Sequence, residues 1–66
     1  MTNSLRNREI IFEFYPMGSY VKVCAMDVRT VTEISIQGAA STPEAQLKKN
    51  ALKRLEYVLR KKGLIS

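Results

Sequence analysis

Seven of the eleven basic residues lie after position 40: Lys48, Lys49, Lys53, Arg54, Arg60, Lys61 and Lys62. Only Glu44 and Glu56 accompany them. In residues 1–40, Arg6, Arg8, Lys22 and Arg29 balance Glu9, Glu13, Asp27 and Glu33, so the whole net charge of +5 belongs to the C-terminal third. Clustered lysines and arginines neutralise phosphates and release their counterions, which is the electrostatic footprint of nucleic-acid binding. Lys49, Lys53, Arg54, Arg60 and Lys61 are therefore candidates for contact with the backbone of RNA or DNA, without base readout. The competing reading is a solvated helix face, in which Arg60, Lys61 and Lys62 favour the negative end of the helix dipole. Lys48, Lys49, Lys53 and Arg54 lie too early in the segment for that explanation.

Other chemistries lack their residues. Histidine is absent, which removes the commonest general base and the usual metal ligand. Cys24 is the single cysteine; without a histidine it forms no activated thiol pair, and it reads as a strand residue chosen for size. The six carboxylates are scattered; even were Glu13 and Glu33 to approach on the open sheet face, a catalytic acid pair would need a pocket. There is no phosphate-cradling glycine loop, zinc spacing or calcium loop. The expectation is a non-enzymatic binding module with no catalytic residues, cofactor, metal or small-molecule substrate.

Size agrees. Sixty-six residues make one domain, and a chain this short buries only about 60% of its unfolded surface, leaving no deep cleft. Hydrophobic content of 45% with 26% charge is globular rather than disordered. No apolar run approaches the roughly 18 residues of a membrane helix, and residues 1–8 lack the apolar stretch of a secretory signal. With one cysteine and no internal disulfide, a reducing, cytoplasmic setting is expected. The opening methionine reads as the start of a whole small protein.

Three strands and a helix must position these groups. Residues 9–15 alternate, with Ile10, Phe12 and Phe14 on one side and Glu9, Ile11, Glu13 and Tyr15 on the other, which predicts a strand. Pro16-Met17-Gly18-Ser19 predicts a turn with proline at its first central position. Residues 20–27 form a second strand, with Val21, Val23 and Ala25 sharing the core face. Asp27-Val28-Arg29-Thr30 is the next turn, in which Asp27 bonds backbone amides two or three residues on. Residues 31–37 form the third strand, with Ile34 and Ile36 inward, and Gly38-Ala39-Ala40 ends it.

Ser41-Thr42-Pro43-Glu44 marks a helix start. Ser41 as cap with Glu44 makes a capping box; Thr42 as cap with Pro43 in the first turn fits equally well. The helix is expected to run to about Lys62 and to stop at Gly63 in the left-handed conformation. Ala45, Leu47, Ala51, Leu52, Leu55, Val58 and Leu59 fall within an arc of about 160°. Lys49, Lys53 and Arg60 lie opposite, with Glu56 among them, and Arg54 and Lys61 form a second basic edge. The fold class is α+β: a three-stranded antiparallel sheet (β-β-β-α) with one C-terminal amphipathic basic helix packed on one face. Residues 9–63 are the domain and residues 1–8 a disordered arm, from which Arg6 and Arg8 could assist with an anion.

One helix covers one sheet face. The other presents Ile11, Tyr15, Tyr20, Cys24 and Met26, interleaved with Glu13, Lys22 and Glu33. That composition suits a protein interface or a homodimer. Stacking of single-stranded bases on Tyr15 and Tyr20 conflicts with the carboxylates, and an ordinary scatter of exposed apolar residues is the third reading.

Two resemblances add to this. Ala40-Ser41 before a helix carrying Lys48-Lys49-Asn50-Ala51-Leu52-Lys53 resembles the strand-strand-strand-helix half of a double-stranded-RNA-binding domain. The resemblance implies phosphate contacts from Lys48, Lys49 and Lys53. The family's first helix and the histidine of its first hairpin loop have no counterpart here. Over most of its length the chain also resembles a family of small uncharacterised alphaproteobacterial proteins, through Ile11-Phe12-Glu13-Phe14, Val21-Lys22-Val23, Thr32-Glu33-Ile34-Ser35-Ile36 and the run from Ala51 to Leu59. That resemblance implies no function.

Overall fold

The computed structural model describes Leu5 and residues 7–66. Strands β1 (Ile10–Met17), β2 (Tyr20–Asp27) and β3 (Thr32–Ala39) form one antiparallel sheet in the order β1-β2-β3, followed by helix α1 (Glu44–Lys61). The expected α+β architecture is the observed one.

The first turn is shorter than the sequence suggests. Met17 pairs with Tyr20 and Pro16 with Val21, so Pro16 and Met17 belong to β1 and only Gly18-Ser19 turns. Gly18 has φ 69° and Ser19 keeps a negative φ, the sign pattern of a type II′ hairpin, whose twist matches that of the flanking strands. Proline is tolerated because β1 is an edge strand.

The second loop spans residues 28–31, and Val31, expected within the third strand, lies outside it. Val31 is 74% exposed with φ 55°, so a β-branched residue occupies the left-handed position that returns the chain into β3. Asp27 behaves as expected: the Thr30 backbone N–H donates to its Oδ2 at 3.2 Å.

β3 does not end at Gly38. Gly38 pairs with Val21 and Ala39 with Tyr20. A Cβ on Gly38 would overlap the δ-methyl of Leu47, so the missing side chain lets α1 settle onto the sheet. An isolated glycine inside a strand commonly marks such a close backbone approach.

The helix begins one residue later than the Thr42 cap would set it and two later than the Ser41 cap, without a capping box. Pro43, at φ −57° and ψ 143°, is the residue before the first turn, and no side chain caps it. Its carbonyl accepts from the N–H groups of Gln46 and Leu47 at 3.0 and 3.1 Å. Glu44 remains in the first turn, where a carboxylate is favoured by the dipole. The C-terminus follows expectation: Gly63 takes φ 73°. Its N–H reaches the Arg60 carbonyl at 3.0 Å, and the Leu64 N–H reaches that of Leu59 at 2.9 Å, completing a Schellman motif.

Leu47, Ala51, Leu55 and Leu59 of α1 bury against Val21, Val23 and Ala25, with Phe12, Phe14, Ile34 and Ile36 around them. Ala45, expected in this stripe, is exposed, because the helix axis lies over β2 and β3 rather than across the whole sheet. The gap over β1 is partly filled by Leu5, which is buried. Of the stretch 1–8 expected as a disordered arm, residues 1–4 and Arg6 lie outside the described residues, whereas Leu5 and Arg8 belong to the folded body. Asn7 turns the chain with φ 66°, a conformation asparagine tolerates. The Arg8 guanidinium then donates to Asp27 Oδ2 at 2.7 Å.

Candidate nucleic-acid interface

The outer face of α1 is built by periodicity. Burial of Leu47, Ala51, Leu55 and Leu59 turns the positions near 180° away, Lys49, Lys53 and Arg60, toward solvent. All three are exposed. An 18-residue helix is about 27 Å long, so its cations form a charged ridge rather than a point site.

The cations divide by what they touch. Lys49 and Lys53 make no ion pair among the described residues. Arg60 contacts Glu56 at 3.3 Å and donates through Nε to the Ser66 backbone oxygen at 3.2 Å. Lys48 is half-buried, 3.8 Å from Glu44 and 5.5 Å from the centre of the Phe12 ring. Arg54 and Lys61 flank an exposed aromatic, with their charges 5.4 and 5.9 Å from the Tyr57 ring centre. Sequence reasoning placed the basic edge but missed Tyr57; its spacing of i+3 from Arg54 and i−4 from Lys61 was the available signal.

Beside this ridge runs a groove of about 400 Å³, lined by Leu5, Ala45, Lys48, Lys49, Leu52, Lys53 and Glu56. Its lining is mostly apolar, although three lysines and one glutamate contribute to it. The groove exists because α1 sits toward β3 and leaves its β1-side flank open. Arg8, expected to assist with an anion from the arm, is instead held by Asp27, with its side chain 10% exposed. Arg6 lies outside the described residues.

The burial of Asp27, with its ion pair to Arg8, is the other feature that sequence reasoning missed. Asp27 is fully buried. Burial pushes its carboxyl up, but the Thr30 hydroxyl and amide and the Arg8 guanidinium outweigh that and hold it below its ordinary value of 3.8. The Thr30 and Thr32 hydroxyls lie 2.8 Å apart; since Thr30 directs its proton to the carboxylate at 2.7 Å, Thr32 donates to Thr30. The signal was parity: Asp27 continues the inward series Val21, Val23 and Ala25, and Arg8 continues Phe12 and Ile10.

On the open sheet face Ile11, Tyr15, Tyr20 and Met26 lie together as expected, joined by Met17, which the sequence places in the turn. Cys24 lies at the centre of this face but is only 8% exposed, sheltered by its larger neighbours. Glu13, two residues away on the same strand face, raises the Tyr15 hydroxyl above its ordinary value. Among the described residues no three histidine, cysteine or carboxylate side chains gather in a way that would hold a metal. No helix there is long and apolar enough to cross a membrane.

A family model described as a domain of unknown function, DUF6898, matches residues 7–62. The chain belongs to the DUF6898 family. No curated protein and no solved structure matches the chain. The DUF6898 match begins at Asn7, so it takes in the Arg8–Asp27 ion pair, and it ends at Lys62, so it includes the basic helix.

Proposed function

We propose that this protein is a non-enzymatic nucleic-acid-binding module of the bacterial cytoplasm that grips the phosphate backbone with the outer face of α1. The observation that carries the reading is the pairing pattern of the helix: Lys49 and Lys53 stand exposed without a carboxylate partner among the described residues, beside a largely apolar groove that Lys48 also lines. These are the three positions that the resemblance to a double-stranded-RNA-binding half-domain singles out. Arg54 and Lys61 extend the contact along the Tyr57 edge. Arg60 contributes less, since Glu56 and Ser66 already hold its guanidinium.

Backbone contacts of this kind are sequence-independent and salt-sensitive. Amide chemical shifts of the labelled protein, titrated with short double-stranded RNA and DNA at low and physiological salt, test the proposal. Shifts are expected at residues 45–62 and to persist at physiological salt. The double reversal Lys49→Glu with Lys53→Glu should weaken binding equally for every sequence. It should also lower the slope of log K against log salt by about 2, because each lysine neutralises about one phosphate. Binding unchanged by this reversal, or no shifts at low salt, overturns the assignment.

A further inference from the structure

We infer that the open sheet face is a self-complementary surface on which a second copy of this chain docks, row-reversed, with Lys22 of each copy beside Glu13 of the other. The inference is independent of the helix, which lies on the opposite face.

Strand register sets the surface out in four rows. Ile11, Met26 and Glu33 form the first; Glu13, Cys24 and Ser35 the second; Tyr15, Lys22 and Gln37 the third; Met17, Tyr20 and Ala39 the fourth. Apolar side chains occupy both end rows: Ile11 is 42%, Met17 47% and Tyr20 37% exposed. The charges lie between and at one corner. The Lys22 ammonium lies 5.9 Å from the centre of the Tyr15 ring and makes no ion pair among the described residues. Glu33 likewise has none.

Two sheets pack face to face with strands nearly aligned and about 10 Å between them. A two-fold axis parallel to the strands would lay each row on its own copy and set Lys22 against Lys22. An axis across the strands reverses the rows. The first row then meets the fourth, so Ile11 lies against Met17 and Met26 against Tyr20. The second row meets the third, so Lys22 lies over the small Cys24 of the second copy with that copy's Glu13 beside it. Symmetry makes this contact twice, as an isologous dimer requires. Only the reversed arrangement joins apolar to apolar and cation to carboxylate together.

Eight-residue strands give a face about 26 Å long and about 14 Å wide. Two such faces bury on the order of 1,000 Å², the lower end for specific pairing, so the dimer is reversible. Both basic helices remain on its outer surfaces.

Sedimentation equilibrium of the full chain from about 10 µM to about 1 mM at physiological salt spans the range in which an interface of this size assembles. The expected result is a mass that rises from monomer to dimer. Lys22→Glu and Glu13→Lys should each weaken the dimer by about tenfold or more, and the two together should restore it. Met17→Glu, at an exposed end-row position, should weaken it by a route that involves no existing charge. Each variant's fold is checked by amide dispersion. A monomer at every concentration overturns the inference and leaves the face to a different protein. A dimer indifferent to Lys22→Glu and Met17→Glu, or not restored by the charge swap, overturns the row-reversed arrangement.

Discussion

Replacing Arg8 by alanine should destabilise this protein far more than its place near the chain start suggests. Asp27 is 0% exposed, and the Arg8 guanidinium sits 2.7 Å from its Oδ2 behind a side chain that is itself 10% exposed. Without Arg8 the carboxylate keeps only the Thr30 hydroxyl and amide, both on Oδ2. Its Oδ1 is buried with no hydrogen-bond partner among the described residues. Removing one member of a buried ion pair costs about 3–5 kcal/mol, because the other charge is left uncompensated. At the usual 0.05–0.15 kcal/mol per residue, a chain of this length has only about 3–10 kcal/mol in total. Arg8→Ala should therefore remove at least about a third of the protein's stability at neutral pH.

Urea denaturation followed by far-ultraviolet circular dichroism measures the loss. The dependence on pH separates an electrostatic cause from a packing one. In the native protein the Asp27 carboxyl is held below its ordinary value of 3.8. Its contribution is thus fully present above that value and is lost as pH falls through the depressed folded one. In Arg8→Ala burial is opposed only by Thr30, so the folded value rises. The penalty of the mutation should be greatest near neutral pH and shrink in acid, where the carboxyl is protonated. Arg8→Met with Asp27→Asn removes the orphaned charge and should recover part of the loss. A penalty below about 1 kcal/mol, the size of an exposed pair, or one that does not change with pH, would refute the assignment of Arg8 and Asp27 as a buried clamp.

Two further substitutions test the backbone. Val31→Gly relieves a left-handed valine, worth about 1–2 kcal/mol, against about 0.4–1 kcal/mol of added unfolded-state entropy. The midpoint of thermal unfolding should rise by a few degrees, and a fall would show that the φ of Val31 is not strained. Gly38→Ala should cost about 1–3 kcal/mol, since the new methyl must displace Leu47 in a packed core. A neutral result by urea denaturation would mean that α1 does not depend on a close approach over β3.

Much of the fold was legible because two periods dominate the sequence. Alternation in residues 10–15, 20–27 and 32–37 places nearly every core side chain, and the 3.6 period places Leu47, Ala51, Leu55 and Leu59. Several of the features that escaped share one physical source: lateral position. Neither period says whether a helix is centred on its sheet. Here α1 lies toward β3, and several corrections follow together. Ala45 emerges into solvent. Gly38 becomes a contact point instead of a strand end. Leu5, in a polar segment with no periodicity, is drawn into the space over β1.

The same displacement shapes the candidate site. The charge excess on the last third was plain from composition, and the pairs Glu44–Lys48 and Glu56–Arg60 were readable from their i,i+4 spacing. The groove was not, because its walls are the flank that the helix leaves open and a leucine about forty residues away in the chain. A helix centred on the sheet would close that flank and leave Lys49 and Lys53 as an ordinary solvated ridge. Set to one side, it places them beside a largely apolar groove, the arrangement on which the proposed backbone contact rests. The Arg8 ion pair is part of that geometry: with Asp27 it anchors the segment that carries Leu5, so the stability of the clamp and the shape of the groove are coupled.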